Sequence, residues 1–442
     1  MAGCGGFCGT LDTELPGFSN AMNFGLRRNY AVSTSDSGHW GESRQTDARW
    51  AMNNPVAVMD FAQRSVPETA RVTKVILNAF YGTEQKKSYF AGCSTGGRMA
   101  AMEALRYPKD FDGIISGAPV LDQVGLAANE YGWVTQVNTG PDGKLVLSPA
   151  KVKLLEHAAY EACGEKIGTT YPVIADPRAC HFKPSALQCR AGDAANCLTQ
   201  AEVAAAEKIY SGPINSHGQH LYPGGVPPGS EPFWPRWITG TGAAPAGAAL
   251  LAEGFYRYIF FQPPAGPTFK VKDYDFDKDP PRLAYAASII NAATFNLNTG
   301  EIEFGDLSAF RQAGGKLIIY HGWADPIVTP QFTVDFYETL AKKSGGMPAT
   351  QDFARLFMVP SMDHCGIQTD GPGIADTGID PLTALEQWVE EGKAPSQLIA
   401  TKPAPTGNQT LWRRPVCAYP KVARYNGSGD PTDASNFTCT EL

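Results

Sequence analysis

The sequence predicts an α/β fold built on a parallel, doubly wound sheet. Three observations carry this. Short apolar runs of strand type alternate with helical stretches toward both ends of the chain. Hydrophobic residues make up 43% and charged residues 18% of the sequence, enough to bury a sizeable core and too apolar for a disordered chain. With 442 residues, the chain has room for two compact units or one large elaborated one.

The elements read in order. Residues 29–34 (Asn-Tyr-Ala-Val-Ser-Thr) suit a strand that ends at Ser35-Asp36-Ser37-Gly38. Helices follow over residues 55–65 and 68–80, the second stopped by Tyr81-Gly82. Residues 88–92 are strand-like, 97–106 helical and 113–117 strand-like again. Two further apolar runs, 316–320 and 355–359, complete five core strands. Residues 120–301 interrupt this alternation with many prolines, four cysteines and the aromatic run from Phe255 to Phe261. They read as an irregular insertion, a lid domain. Residues 1–119 and 302–442 together then form the domain that carries the sheet.

Charge and cysteine usage exclude several functions. A net charge of −7 without a basic run lacks the electrostatic footprint of a nucleic-acid binder. No stretch reaches the roughly 18–20 consecutive apolar residues of a membrane span. Ten cysteines, none in a C-x-x-C pair, argue against a zinc ribbon. Cys163/Cys180, Cys189/Cys197 and Cys417/Cys439 are close enough in sequence to close small loops, and Cys4 and Cys8 are expected to be disulfide-bonded as well. Such pairing fits an oxidising compartment. No charged and apolar leader precedes Gly3-Cys4, so a secretory leader is expected to be absent from this chain.

Gly92-Cys93-Ser94-Thr95-Gly96 matches G-x-S-x-G and lies between a strand and a helix. A nucleophile elbow requires that context, because the sharp turn lifts the serine hydroxyl above the carboxyl edge of the sheet. A serine needs a base. Of seven histidines, His157, His181, His217 and His220 fall in the insertion and are expected to be solvated. His364 follows the last strand, and Asp325 follows the strand before it. The order Ser94, Asp325, His364 is that of α/β-hydrolases. His321 is the alternative base and Asp363 the rival acid. If Ser94 and His364 meet, their neighbours Cys93 and Cys365 are placed to form a disulfide, closing a loop worth about 5 kcal/mol in the chain-entropy model.

Cys93-Ser94, Asp325 and His364-Cys365 resemble the CS–D–HC arrangement of the tannase and feruloyl esterase family, which also holds hydrolases of mono(2-hydroxyethyl) terephthalate. The segments at 92–98, 106–113, 306–310, 388–392 and 414–420 are similar to family segments, so the likeness spans nearly the whole chain. It implies an α/β-hydrolase core with a large inserted lid, hydrolysis of esters of aromatic acids, and a secreted or periplasmic location. It implies Ser94 as nucleophile, His364 as proton relay and Asp325 as its partner. The oxyanion donors would be the backbone N–H groups of Thr95 and of a glycine in the Cys4–Gly9 loop, Gly6. Trp234, Trp237, Tyr256, Tyr258, Phe260 and Phe261 offer rings for an aryl acid or form the lid's own core; Trp237, Tyr258 and Phe260 are the expected contacts. An aliphatic-ester-specific or non-catalytic member on the same scaffold is the alternative reading.

Two departures from the family follow. In many members the lid carries a calcium loop, C-D-x-x-D-G-x-x-D-G-x-I-x-D-P. Here its carboxylate positions hold Gly164, Ile167 and Tyr171. A calcium ion needs six to eight oxygen ligands, so the site is expected to be lost, with no cofactor and Cys163–Cys180 holding the loop. The resemblance also implies leading strands before the oxyanion loop. This chain opens inside that loop, so those strands are expected to be missing, leaving an unpaired sheet edge beside residues 29–34.

Overall fold

The computed structural model describes residues 1–11, 20–41, 46–165, 172–190, 192, 194–404 and 409–441. Among them are ten strands in chain order: β1 (Tyr89–Cys93), β2 (Gly113–Gly117), β3 (Ala293–Asn296), β4 (Glu301–Phe304), β5 (Lys316–Gly322), β6 (Ala354–Val359), β7 (Gln397–Pro403), β8 (Thr410–Cys417), β9 (Val422–Tyr425) and β10 (Phe437–Thr440). A parallel four-stranded sheet in the order β1-β2-β5-β6 forms the centre. The remaining strands form three antiparallel pairs, β3-β4, β7-β8 and β9-β10.

Register explains why this sheet serves a site. Cys93 pairs with Gly117, Gly117 with Tyr320, and Gly322 with Val359. The carboxyl ends of all four strands therefore lie side by side, and the loops that leave them share one edge, where open α/β sheets bind ligands.

Four of the five expected core strands are present. Residues 29–34 are not a ladder strand. Met1 to Gly3 occupy the outer edge of β1 instead: Gly3 N donates to Ala91 O at 2.9 Å and Ala91 N to Met1 O at 3.0 Å. Ser33 lies outside them, accepting from Ala2 N at 2.8 Å. The outer edge of β1 is thus covered by the first residues of the chain, with Ser33 outside them.

The two helices expected over 55–65 and 68–80 are continuous. Pro55–Met59 runs through a wide π turn, Asp60–Arg64, into Ser65–Tyr81, which Gly82 ends in the left-handed conformation (φ 68°). Pro67 lacks an N–H to donate, and Arg98 of the neighbouring helix donates to the carbonyls of Phe61 (2.9 Å) and Ala62 (2.6 Å) in that turn. External donors compensate for the irregular ladder, so no break is needed.

The insertion is more regular than expected. It holds the helices Tyr131–Val137, Pro149–Cys163, Gln200–Ser211, Gly247–Tyr258 and Ala284–Ile290. Their starts carry ordinary signals: Ser148 caps Lys151 N ahead of Pro149, and Thr199 with Glu202 forms a capping box. All ten cysteines are paired: Cys4–Cys8, Cys93–Cys365, Cys163–Cys180, Cys189–Cys197 and Cys417–Cys439. Among the described residues no helix is long and apolar enough to cross a membrane.

Candidate active site

Ser94 stands between β1 and the helix Thr95–Arg106 with φ 63° and ψ −124°. A non-glycine residue held there stores about 1–3 kcal/mol of strain, and its surroundings enforce it. Ser94 N donates to Gly117 O at 3.0 Å, and Arg98 N and Val120 N donate to Ser94 O at 3.0 and 3.3 Å. The helix must also sit close to the sheet: a Cβ on Gly97 would lie 2.3 Å from Gly117 O, and one on Gly92 2.6 Å from Gly96 O. The glycines around the serine are a packing requirement of the elbow.

The serine meets the expected partners. His364 Nε2 lies 2.9 Å from Ser94 Oγ, and His364 Nδ1 lies 2.8 Å from Asp325 Oδ2. Asp325 Oδ1 accepts from Ile327 N (3.0 Å) and Val328 N (2.9 Å). Burial pushes the Asp325 carboxyl up, but the His364 charge and the hydrogen bonds from His321 and His364 outweigh it and hold the pKa at about 2. The disulfide between Cys93 and Cys365, with Cα atoms 5.9 Å apart, joins the nucleophile's strand to the histidine's loop.

The rivals lie elsewhere. His321 is fully buried behind the acid, with Nε2 3.2 Å from Asp325 Oδ2 and 2.9 Å from Val328 O, and Nδ1 2.8 Å from Thr333 Oγ1. It braces the carboxylate and does not reach the serine. Asp363 turns away from the ring and accepts from Gln368 N at 3.1 Å. His157, His181, His217 and His220 are exposed.

The two oxyanion candidates are adjacent. Thr95 is the first residue of its helix, so its N–H has no partner within the helix. Its hydroxyl donates to Gly6 O at 2.7 Å, tying the Cys4–Cys8 loop to the nucleophile's helix. That side-chain link was not anticipated, nor was Gln123, whose Nε2 lies 3.4 Å from Thr95 Oγ1 while its buried Oε1 has no partner among the described residues.

The aromatic expectations divide. Trp237 stands edge-on to His364, ring centroids 5.4 Å apart at 84°. Tyr258 is half-buried against the lid core, and among the described residues no ring contact joins it to the triad. Phe260 is a correction. It is fully buried and stacks on Phe255 at 4.7 Å, so it has no face to offer an acyl group. Trp234, Tyr256 and Phe261 are likewise core residues. Arg257 is spent on Phe269 O and Glu253. Of the three calcium positions, Gly164 caps the helix Pro149–Cys163; Ile167 and Tyr171 lie outside the described residues.

The family profile described as "Tannase and feruloyl esterase" matches residues 1–440. The chain is 33% identical to an uncharacterised esterase of Xanthomonas campestris pv. campestris, over 95% of this chain and 76% of that protein. It is also 33% identical to a mono(2-hydroxyethyl) terephthalate hydrolase of Piscinibacter sakaiensis, over 94% and 74% respectively. Feruloyl esterase B from Aspergillus oryzae superposes with a TM-score of 0.82 at 28% identity, covering 99% of this chain and 84% of that one. A tannin acyl hydrolase from Aspergillus niger shares the fold, with a TM-score of 0.76 at 20% identity over 100% of this chain and 80% of that one. Matched along almost its full length, the chain belongs to the tannase and feruloyl esterase family.

Proposed function

We propose that this protein is a serine carboxylic ester hydrolase acting on esters of aromatic acids through an acyl-enzyme. One observation carries the reading: an uninterrupted hydrogen-bonded line from Ser94 Oγ through His364 to Asp325, at 2.9 and 2.8 Å. His364 takes the serine proton as Ser94 attacks the ester carbonyl. The same nitrogen then delivers that proton to the departing alcohol, and later activates the water that releases the acid. Asp325, ionised and fixed by two backbone N–H groups, stabilises the imidazolium. Thr95 N–H and Gly6 N–H receive the oxyanion, where fixed donors lower a barrier most. Trp237 is the aryl contact closest to the chemistry. The names of the relatives support feruloyl and mono-terephthalate esters as the substrate class, and the tannase in the family's description adds galloyl esters.

The complete triad weighs against a non-catalytic binding protein, which has no use for the three groups in register. A panel of methyl gallate, methyl ferulate and mono(2-hydroxyethyl) terephthalate tests the substrate class. Ser94→Ala is expected to lower kcat by at least about 10³-fold. Unchanged turnover in that variant would remove the serine mechanism.

Five disulfides support a secreted or periplasmic place of action. The family calcium site is lost in this reading, because Gly164, Ile167 and Tyr171 bring no side-chain carboxylate. Calorimetric titration with calcium is expected to give no tight binding and chelator no loss of activity; either effect would overturn it.

A further inference from the structure

His39, a histidine outside the triad, starts a chain of hydrogen bonds that ends at an oxyanion donor. His39 Nε2 lies 2.6 Å from Phe7 O. The peptide unit that carries that carbonyl also carries Cys8 N–H, which donates to Gly5 O at 2.8 Å. The peptide unit that carries Gly5 O carries in turn the N–H of Gly6. In a buried setting each bond polarises the next, so the donor at the far end is strengthened as well as held.

The loop needs such a restraint. Gly6, Cys8 and Gly9 all take left-handed backbone angles (φ 56°, 58° and 77°), a conformation that costs a non-glycine residue such as Cys8 roughly 1–2 kcal/mol. The anchor itself is firm. The His39 ring is buried, stacks on Trp50 at 3.6 Å and meets the edge of Phe61 at 6.0 Å. Phe61 lies under the Arg98 guanidinium, 4.9 Å away, and Arg98 belongs to the helix that Ser94 opens. Burial pushes the His39 pKa down, against the opposing pull of the Phe7 and Ser37 carbonyls and of Asp36 and Asp60. The neutral ring has one N–H, and the chain of hydrogen bonds needs it on Nε2, the nitrogen with the shorter contact; Nδ1 lies 3.2 Å from Ser37 O.

We propose that His39 is a positioning residue for ester hydrolysis, orienting and polarising the Gly6 N–H through two peptide units. This rests on the reading of Gly6 as an oxyanion donor. A lost oxyanion-hole donor acts on kcat rather than on KM, which gives the test its shape.

Steady-state kinetics on methyl ferulate, or on whichever ester of the panel turns over, should compare His39→Gln, His39→Asn and His39→Leu. A glutamine amide reaches the place of Nε2, whereas asparagine reaches only that of Nδ1. The Asn and Leu variants are expected to lose roughly 10-fold or more in kcat with KM within about two-fold, and Gln to recover most of the loss. Binding of an arylboronic acid, whose tetrahedral serine adduct places an oxygen in the oxyanion position, should weaken by the same factor as kcat. Binding of free ferulate should not change. Equal kcat in Asn and Gln variants, or a change in KM alone, would overturn the proposal. If the variants fail to fold, ¹⁵N–¹H spectra of the wild type decide: a proton on Nε2 of His39 is expected, and a proton on Nδ1 alone breaks the chain at its origin. A wild type that hydrolyses no ester defeats the functional reading instead, which keeps the two failures apart.

Discussion

A carboxylate as deeply buried as Asp325 stays ionised because donors surround it: two backbone N–H groups and two imidazoles face its oxygens. Glu130 shows the opposite case. It is also buried, on the second π turn, Leu126–Glu130, and among the described residues neither of its carboxyl oxygens has a partner. Burial alone pushes its pKa from 4.5 to about 8. A carboxyl raised in the folded state contributes fully below its unfolded pKa. It costs stability progressively as pH climbs from about 4.5 to about 8, because only the unfolded chain can ionise it there. Glu130→Gln should therefore match the wild type near pH 4 and exceed it near pH 8. The difference has an upper figure of about 4 kcal/mol, or about 4 °C in Tm for a chain of this size. Thermal melts at the two pH values check this; an equal offset at both would show that the charge is not the cause.

At the scale of elements, the sheet brings Ser94 and His364 to one edge, and the Cys93–Cys365 bond fixes the loops that carry them. The closed loop spans 272 residues, so its removal is expected to cost up to about 5 kcal/mol in the chain-entropy model. A loosened histidine loop, misplaced by about 1 Å, would lower kcat by about 10²-fold. The double variant Cys93→Ala/Cys365→Ala should show both effects, by melting and by kinetics. Cys417→Ala/Cys439→Ala, which frees only β8 from β10, should leave kcat near that of the wild type. Loss of kcat in both pairs would mean that the first bond has no special hold on the triad. The elements that sequence foretold best are those with complete local signals: β2, whose residues are all buried, and the helix ended by Gly82. The pairs β3-β4, β7-β8 and β9-β10 escaped notice because they have exposed or mixed faces and lack the continuous apolar run of a central strand. Residues 29–34 misled for the converse reason. They have strand composition, but Met1 to Gly3 already fill the place beside β1.

For the whole molecule, the three groups of the triad were legible because their order along the chain and their positions after strands follow from topology. What supports them was not. His39 and Arg98 act through backbone carbonyls distant in sequence, which leaves no local pattern, and His321, named as a rival base, proves to brace the acid four residues on. The aromatic run from Phe255 to Phe261 gave composition without direction: only the packed structure shows that Phe260 faces inward, whereas Trp237, from another segment, stands at the histidine. Phe255 has a second role. Its ring lies 4.4 Å from that of Phe7, the residue between Gly6 and Cys8. The insertion thus leans directly on the Cys4–Cys8 loop, and Phe7 is the pin between them. Under the proposed function, substitutions that reshape the insertion around Phe255 are expected to change turnover as well, unless the contact between these two rings is kept.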